Sequence, residues 1–435
     1  MKQTITAKLK LDVGPEQFAS LRRTQLAYRD SLNFVSRWSF DNGKTSNQNK
    51  LQKACYNIIR IQFNLPAQMA CNVPRQVGAT YKNLWTKVKQ NASARRGGRT
   101  KKRYKGLDSP PKYISPTLTY NIGRDYGFKT GQRVSILSLD GRIVLHYNGY
   151  SPHLTLIKNG ATVGASKLWY DKSRKRFYLL VSLSMERPYP QPTDHKQVVG
   201  VDVGQRYLAV ATNINQESEF FEGRKAVVKA NHYMRLRKRL QKKDTRSATR
   251  RLVAISGRER RFKLDTNHTI AKRIIDRYPN SIIGIEELTG IRERTKRKHG
   301  KLATRKQRKV NRRQASWSFA ELHDLLAYKA TLNRCMTVKV DANYTSQTCP
   351  KCGHAEKRNR PGHGLMFICQ NCSYTLHSDL VGARNIALRT LLVRQDWTST
   401  GILSLCPDVS DKEAKAVRLK RYAELRWSPD TSPRL

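Results

Sequence analysis

Three acids and four cysteines are the residues of this 435-residue chain whose types and spacing can do chemistry. Asp202 closes the apolar run Val198-Val-Gly-Val-Asp202, Glu286 closes Ser281-Ile-Ile-Gly-Ile-Glu286 with Glu287 behind it, and Asp379 opens Asp379-Leu-Val-Gly-Ala-Arg-Asn-Ile386. A carboxylate in an apolar strand is costly to desolvate, so it faces a cation or a cleft unless it only caps a turn before a glycine such as Gly204. Acids converging from separate elements repel one another unless cations lie between them. Two Mg²⁺ or Mn²⁺ ions about 3.5–4 Å apart would relieve that repulsion, polarise a phosphodiester, generate hydroxide and stabilise the leaving oxygen.

The cysteines read differently. Cys349-Pro-Lys-Cys352 and Cys369-Gln-Asn-Cys372 are two Cys-x-x-Cys knuckles at the spacing of a four-cysteine zinc ribbon. Four thiolates leave no open coordination position, so one Zn²⁺ held there is structural. His354 and His363 lie in the intervening loop, and either could replace a cysteine. A redox role would leave the second knuckle unexplained. The other cysteines, at 55, 71, 335 and 406, are scattered, which argues for a reducing compartment and against a disulfide framework.

These groups must be held by strands and helices, and periodicity supplies candidates. Residues 198–204 and Tyr207 to Thr212 read as a hairpin, Ser281 to Leu288 and Met336 to Val340 as further strands, and Asp379 as the start of a helix. Residues 1–11 alternate as a strand, and Pro15 opens a helix. Helical stretches follow around Leu51 to Phe63 and Gln76 to Lys89, with Phe34, Trp38, Tyr56 and Trp85 as core or as base-stacking residues. Residues 112–186 read as a small antiparallel barrel that includes a strand at Leu154 to Ile157 and recruits the first strand. The prediction is an α+β multidomain protein.

Charge narrows the partner. The 84 Lys and Arg against 32 Asp and Glu give +52, which repels itself unless a polyanion neutralises it, and nucleic acid is that polyanion most often. The cations cluster. Lys87 to Lys105, expected as a mobile loop, has nine in 19 residues; Arg224 to Lys263 has 16; and Arg292 to Arg313 has 12 in 22, a track suited to phosphates. No apolar run is long enough to span a bilayer and the first residues are not a signal peptide, so no membrane partner is expected and the protein is placed in a prokaryotic cytoplasm, at the nucleoid.

The sequence resembles the transposon-encoded TnpB family of RNA-guided nucleases, relatives of the type V CRISPR effectors. The resemblance rests on Gly200-Val-Asp-Val-Gly204, Ile285-Glu-Glu-Leu288, Phe319-Ala-Glu-Leu322 with Tyr328-Lys-Ala330, Tyr344-Thr-Ser-Gln-Thr-Cys349-Pro-Lys-Cys-Gly353, the second knuckle, and Asp379 with Ala383-Arg-Asn-Ile386. It implies an RNase H-like (RuvC) α/β domain split by a zinc ribbon, with Asp202, Glu286 and Asp379 as Mg²⁺ ligands and Cys349, Cys352, Cys369 and Cys372 on Zn²⁺. The family often has Asp where this chain has Glu287 and Asn where it has Gly382, so Glu286 and Glu287 both stay open as the metal-facing residue.

The implied organisation is a wedge-like barrel (first strand 1–14, remainder 112–187) with an inserted helical recognition bundle and basic loop (15–111). The nuclease domain (188–343 and 377–393) follows, interrupted by the ribbon (344–376), and then a tail (394–435) that the resemblance does not explain. The implied activity is cleavage of target DNA, double- or single-stranded, directed by a transposon-derived guide RNA next to a short adjacent motif, by a monomer. Alternatives are a compact type V effector using a crRNA, a nuclease-dead RNA-guided repressor, which the intact acids disfavour, and a zinc-bearing transposase or resolvase without guide RNA.

Overall fold

The computed structural model describes residues 1–435 except 1, 99, 116, 173, 187–189, 205, 289–303, 305–316, 362–363, 409–410 and 428–435. The basic track from Arg292 to Arg313 therefore lies, apart from Thr304, outside the described residues. The chain divides into two compact units, Met1–Pro188 and Tyr189–Leu435.

In the first unit, β1 (Lys2–Asp12) leads into three helices, α1 (Pro15–Asp41), α2 (Gln48–Gln62) and α3 (Ala67–Arg96). Then come β2 (Leu118–Tyr120), β3 (Tyr126–Lys129), β4 (Arg133–Ser138), β5 (Gly141–Gly149), α4 (Ser151–Lys158), β6 (Thr162–Asp171) and β7 (Arg176–Glu186). Among the described residues the strands form one sheet in the order β2-β6-β7-β1-β5-β4-β3, with β1 in the middle, antiparallel to both β7 and β5. Its two edge strands, β2 and β3, are consecutive in the chain and joined by residues 121–125, so the sheet must curl back on itself into a nearly closed barrel. The Tyr126 hydroxyl, donating to the Gly164 carbonyl of β6, ties the ends together.

Three sequence expectations are corrected here. Leu154 to Ile157 is helical, because Pro152 sits in the first turn of α4, where its fixed φ suits a helix and its missing N–H costs nothing. The expected basic loop is helical as far as Arg96, and α3 starts at Ala67, nine residues before the apparent start at Gln76, because Pro74 is accommodated inside the helix. Phe34, Trp38 and Tyr56 are only half-buried and Trp85 is exposed; the bundle core is filled by Leu21, Tyr28, Leu32, Val35 and Tyr81.

The second unit is built on β8 (Gln197–Asp202), β9 (Tyr207–Asn213) and β10 (Ser218–Glu222), then α5 (Arg224–Lys243), α6 (Arg246–Ile255), α7 (Arg258–Arg277) and β11 (Ser281–Glu287). After the undescribed stretch come α8 (Phe319–Leu332), β12 (Met336–Asp341), the short hairpin β13 (Met366–Ile368) and β14 (Thr375–His377), α9 (Ser378–Thr400) and α10 (Lys412–Glu424). The main sheet runs β10-β9-β8-β11-β12; the first three strands are antiparallel neighbours, and β8, β11 and β12 are parallel. Parallel strands need crossovers, and buried parallel strands are apolar on both faces, which is why 198–201 and 282–285 are almost unbroken Val and Ile.

Strand alternation assigns the two faces. Val199, Val201, Ile283 and Ile285 enter a core with Ile270 and Ile274 of α7 and Leu322 and Leu326 of α8. The other face carries Gly200 and Gly284, paired in register, and α9 lies directly on them. A methyl group at Gly200 would overlap the Ala383 carbonyl oxygen and the Ala387 nitrogen, and one at Gly284 would overlap Thr390 Oγ1. Backbone rather than side chain blocks position 200, so the helix itself would have to move. Gly200→Ala is expected to destabilise the fold by about 3 kcal/mol, read as a lowered denaturation midpoint.

Candidate active site and cysteine cluster

Because side chains alternate, Asp202 and Glu286 follow two residues after Gly200 and Gly284 and share their face of the sheet. Asp379 reaches the same place from the first turn of α9. His377 caps that helix, its Nδ1 accepting from the Asp379 N–H at 3.2 Å, and its ring packs edge-on against Tyr207 of β9 and Phe220 of β10. The first turn, whose free N–H groups favour negative charge, is thereby fixed against the sheet.

The electrostatics follow from this convergence. Burial, then the charges of Glu286 and Asp379, push the Asp202 carboxyl well above the usual carboxylate range. Burial also raises Glu286, against the opposing effects of the Thr345 hydroxyl, which donates to its Oε1 at 2.5 Å, and of the Arg389 charge. Gly382 leaves the space that Asp202 occupies, since a Cβ there would lie 2.9 Å from Asp202 Oδ2. Glu287 belongs elsewhere. It points to the opposite face and pairs with Lys339 of β12 at 2.7 Å, with the Cys406 thiol 3.3 Å from the same oxygen. Of the two glutamates left open by the sequence, Glu286 is the one beside Asp202.

Four further residues belong to this site, and the sequence reading gave none of them a role. Arg360, from the loop between the knuckles, lies 3.9 Å from Asp379, and its charge also bears on Asp202. Asn385 of α9 donates to the carbonyls of Thr345 and Thr348 at 2.7 and 2.8 Å, which fixes the turn that presents Thr345 to Glu286. Arg389 is buried and donates to the carbonyls of Asp341 and Asn343. Thr345 and Asn385 sit within the motifs that carry the family resemblance, and that was the available signal; Arg360 and Arg389 had none.

The four cysteines converge as well. Their sulfurs all lie within 4.8 Å of one another, with Cys349 and Cys372 at 3.7 Å and Cys352 and Cys369 at 3.5 Å. Burial pushes the Cys349 thiol up. At Cys352 burial acts the same way but is outweighed by the His354 backbone N–H, the neighbouring thiols and Asn371, which bring it down to about 6. His354 is engaged with Glu356 at 3.3 Å and is not one of the four; His363 lies outside the described residues. The cluster packs through Phe367 onto Val381 of α9, two residues from Asp379.

Two family models match, a probable transposase (OrfB_IS605) over residues 180–290 and a Cas12f1-like TNB domain over residues 319–386. Over parts of its length the chain is similar to Cas12f1 and InsQ proteins. It is 27% identical over 241 residues to the CRISPR-associated endodeoxyribonuclease Cas12f1 of Sulfoacidibacillus thermotolerans, covering 52% of this chain and 53% of that one. It is 39% identical over 77 residues to the putative RNA-guided DNA endonuclease InsQ of Escherichia coli (strain K12), 18% of this chain and 19% of that one. The chain thus spans about half the length or less of these Cas12f and TnpB-type relatives. In fold it resembles the solved structure of the mini-RNA-guided endonuclease CRISPR-Cas_phi3, with a TM-score of 0.51 at 11% identity over 90% of this chain and 93% of that one. The TNB match includes all four cysteines, Arg360 and Asp379, and the transposase match contains Asp202 and Glu286. Among the described residues, no helix is long and apolar enough to cross a membrane.

Proposed function

We propose that the chain is an RNA-guided DNA endonuclease whose Tyr189–Leu435 unit is a RuvC-like, RNase H-type domain interrupted by a zinc ribbon at 344–376 and completed by α9. The observation that carries this reading is the convergence of Asp202, Glu286 and Asp379 at the ends of two adjacent parallel strands and the start of the helix lying across them. The first unit is read as a wedge-like barrel with an inserted helical bundle that faces the guide and the motif beside the target. The guide is a transposon-derived RNA, or a crRNA if the chain serves a CRISPR locus, and sequencing the bound RNA separates the two.

The donor sets fit the metals. Burial raises both Asp202 and Glu286, and the charges of Glu286 and Asp379 raise Asp202 further, so a cation between the acids would be favoured. Three carboxylates suit hard cations such as Mg²⁺ or Mn²⁺. Tetrahedral zinc with Zn–S near 2.3 Å requires sulfurs about 3.8 Å apart, close to the two separations seen. When bound, the divalent ions would supply Lewis-acid activation of water and stabilisation of the leaving oxygen. The protein's own part is placement. Asp202 and Glu286 are held by the sheet, Glu286 is oriented by Thr345, Asp379 is fixed by the His377 cap, and Arg360 offers a cation to a phosphate passing between ribbon and helix.

Two outcomes follow. The raised carboxyls must lose their protons to hold a cation, so the Mg²⁺ concentration for half-maximal cleavage should rise as pH falls through their elevated range. A titration of cleavage against Mg²⁺ at several pH values checks this, and a pH-independent midpoint contradicts it. If the one acid cluster seen among the described residues does the cutting, it must also cut the strands of a duplex in turn. Supercoiled target plasmid should pass through a nicked form at limiting Mg²⁺, whereas direct linearisation without that form would require a second active site.

A further inference from the structure

We infer that the C-terminal segment around α10 is a clasp that holds the Asp379 helix and the first cysteine knuckle onto the sheet, so that Arg418, Tyr422 and Trp427 are positioning residues for the acid site. The inference rests on the nuclease reading for its effect on cleavage, though not for its geometry.

The clasp grips three elements. At the sheet it meets Asp341, the last residue of β12, whose side chain is fully buried. Arg418 donates to both its oxygens, at 2.8 and 3.4 Å, and the Tyr422 hydroxyl lies 3.3 Å away. At α9, the Tyr422 ring lies beneath the Arg389 guanidinium, 4.4 Å from centroid to Cζ, and Trp427 packs on Ala387 and Leu388 with Arg384 over its ring at 4.9 Å. At the first knuckle, the backbone N–H of Trp427 donates to the Pro350 carbonyl at 2.7 Å, and Arg426 lies so close to Gly353 that a side chain there would overlap its guanidinium. Residues 418–427 therefore bridge the strand beside Glu286, the helix of Asp379 and the loop of Cys349. Two of these contacts lead inward, because Arg389, held between Tyr422 and the β12 end, bears on Glu286, and α9 carries Asp379. A buried ion pair at such a joint fixes register more than it stabilises.

Trp427→Ala is the direct test, because it releases the end of the clasp without stranding a charge. Amide exchange should accelerate at least about tenfold at 348–353 and in the middle of α9, as local opening becomes easier. Guide-RNA binding should stay within about twofold, while single-turnover cleavage should fall about 10- to 100-fold with a higher Mg²⁺ requirement, the scale of lost outer support at a metal site. Arg418→Ala alone leaves the Asp341 carboxylate buried without its cation, which is expected to destabilise the region; Asp341→Asn with Arg418→Met removes both charges and keeps the bulk. The double variant should melt near the parent yet still cleave slowly. Parental cleavage and exchange in both Trp427→Ala and the double variant would overturn the clasp. If the parent itself never cleaves, the nuclease reading falls, while the exchange result still decides the clasp.

Discussion

Asp202→Ala is expected to bind its RNA and find its target while cutting at least about a thousandfold more slowly, the scale on which loss of one group that stabilises the transition state acts. The substitution removes a carboxylate from the convergence of β8, β11 and α9 and relieves repulsion on its neighbours, so the fold should not suffer. The melting temperature of the metal-free variant should equal or exceed that of the parent. Guide pairing depends on surfaces outside this cluster, so binding should persist at parental affinity. Glu286→Ala should behave alike, whereas Glu287→Ala should leave cleavage within a few-fold, because Glu287 pairs with Lys339 on the opposite face of the sheet. Strong cleavage by Asp202→Ala would mean that the acids are misassigned; equal losses at Glu286 and Glu287 would mean that the face assignment is wrong.

Cys349→Ser or Cys372→Ser should release one zinc ion per chain and unfold the ribbon locally. Structural zinc contributes about 10–16 kcal/mol to folding in small ribbons, and four sulfurs drawn together without it would have few other reasons to stay. The effect should spread to the acids by two routes visible in the structure. Arg360 enters the site from the loop between the knuckles, and Phe367 of the ribbon packs on Val381, beside Asp379. Cleavage should therefore fall about 100-fold or more, while the barrel unit melts as before. Metal analysis together with amide exchange over 345–377 checks both statements. A folded parent protein without zinc would refute the account of the cluster.

The acids were legible in the sequence because each is the polar end of an otherwise apolar element. Their order along the chain, strand then strand then helix, was readable for the same reason. The choice between Glu286 and Glu287 was not made there, yet a signal existed. Gly200-x-Asp202 and Gly284-x-Glu286 share a period of two, and the glycines mark the face on which α9 rests. Arg360 was illegible because it is one cation among many in a loop without periodicity, and only the return of the ribbon to the start of α9 gives it meaning. The helix at Ser151–Lys158 was read partly as a strand because a short apolar run fits either period. The purpose of the C-terminal segment was not legible because it depends on long-range partners such as Asp341 and Pro350 that no local pattern announces.

The central claim, that a bound RNA directs metal-dependent cutting by this acid cluster, is tested most directly by recovering the RNA that purifies with the protein and exchanging its target-pairing segment. The reprogrammed complex should cut, in Mg²⁺, a plasmid carrying the new sequence and should spare the old one, and its Asp202→Ala counterpart should cut neither. Fully active protein free of nucleic acid, or a cut site that stays in place when the RNA is exchanged, would contradict it.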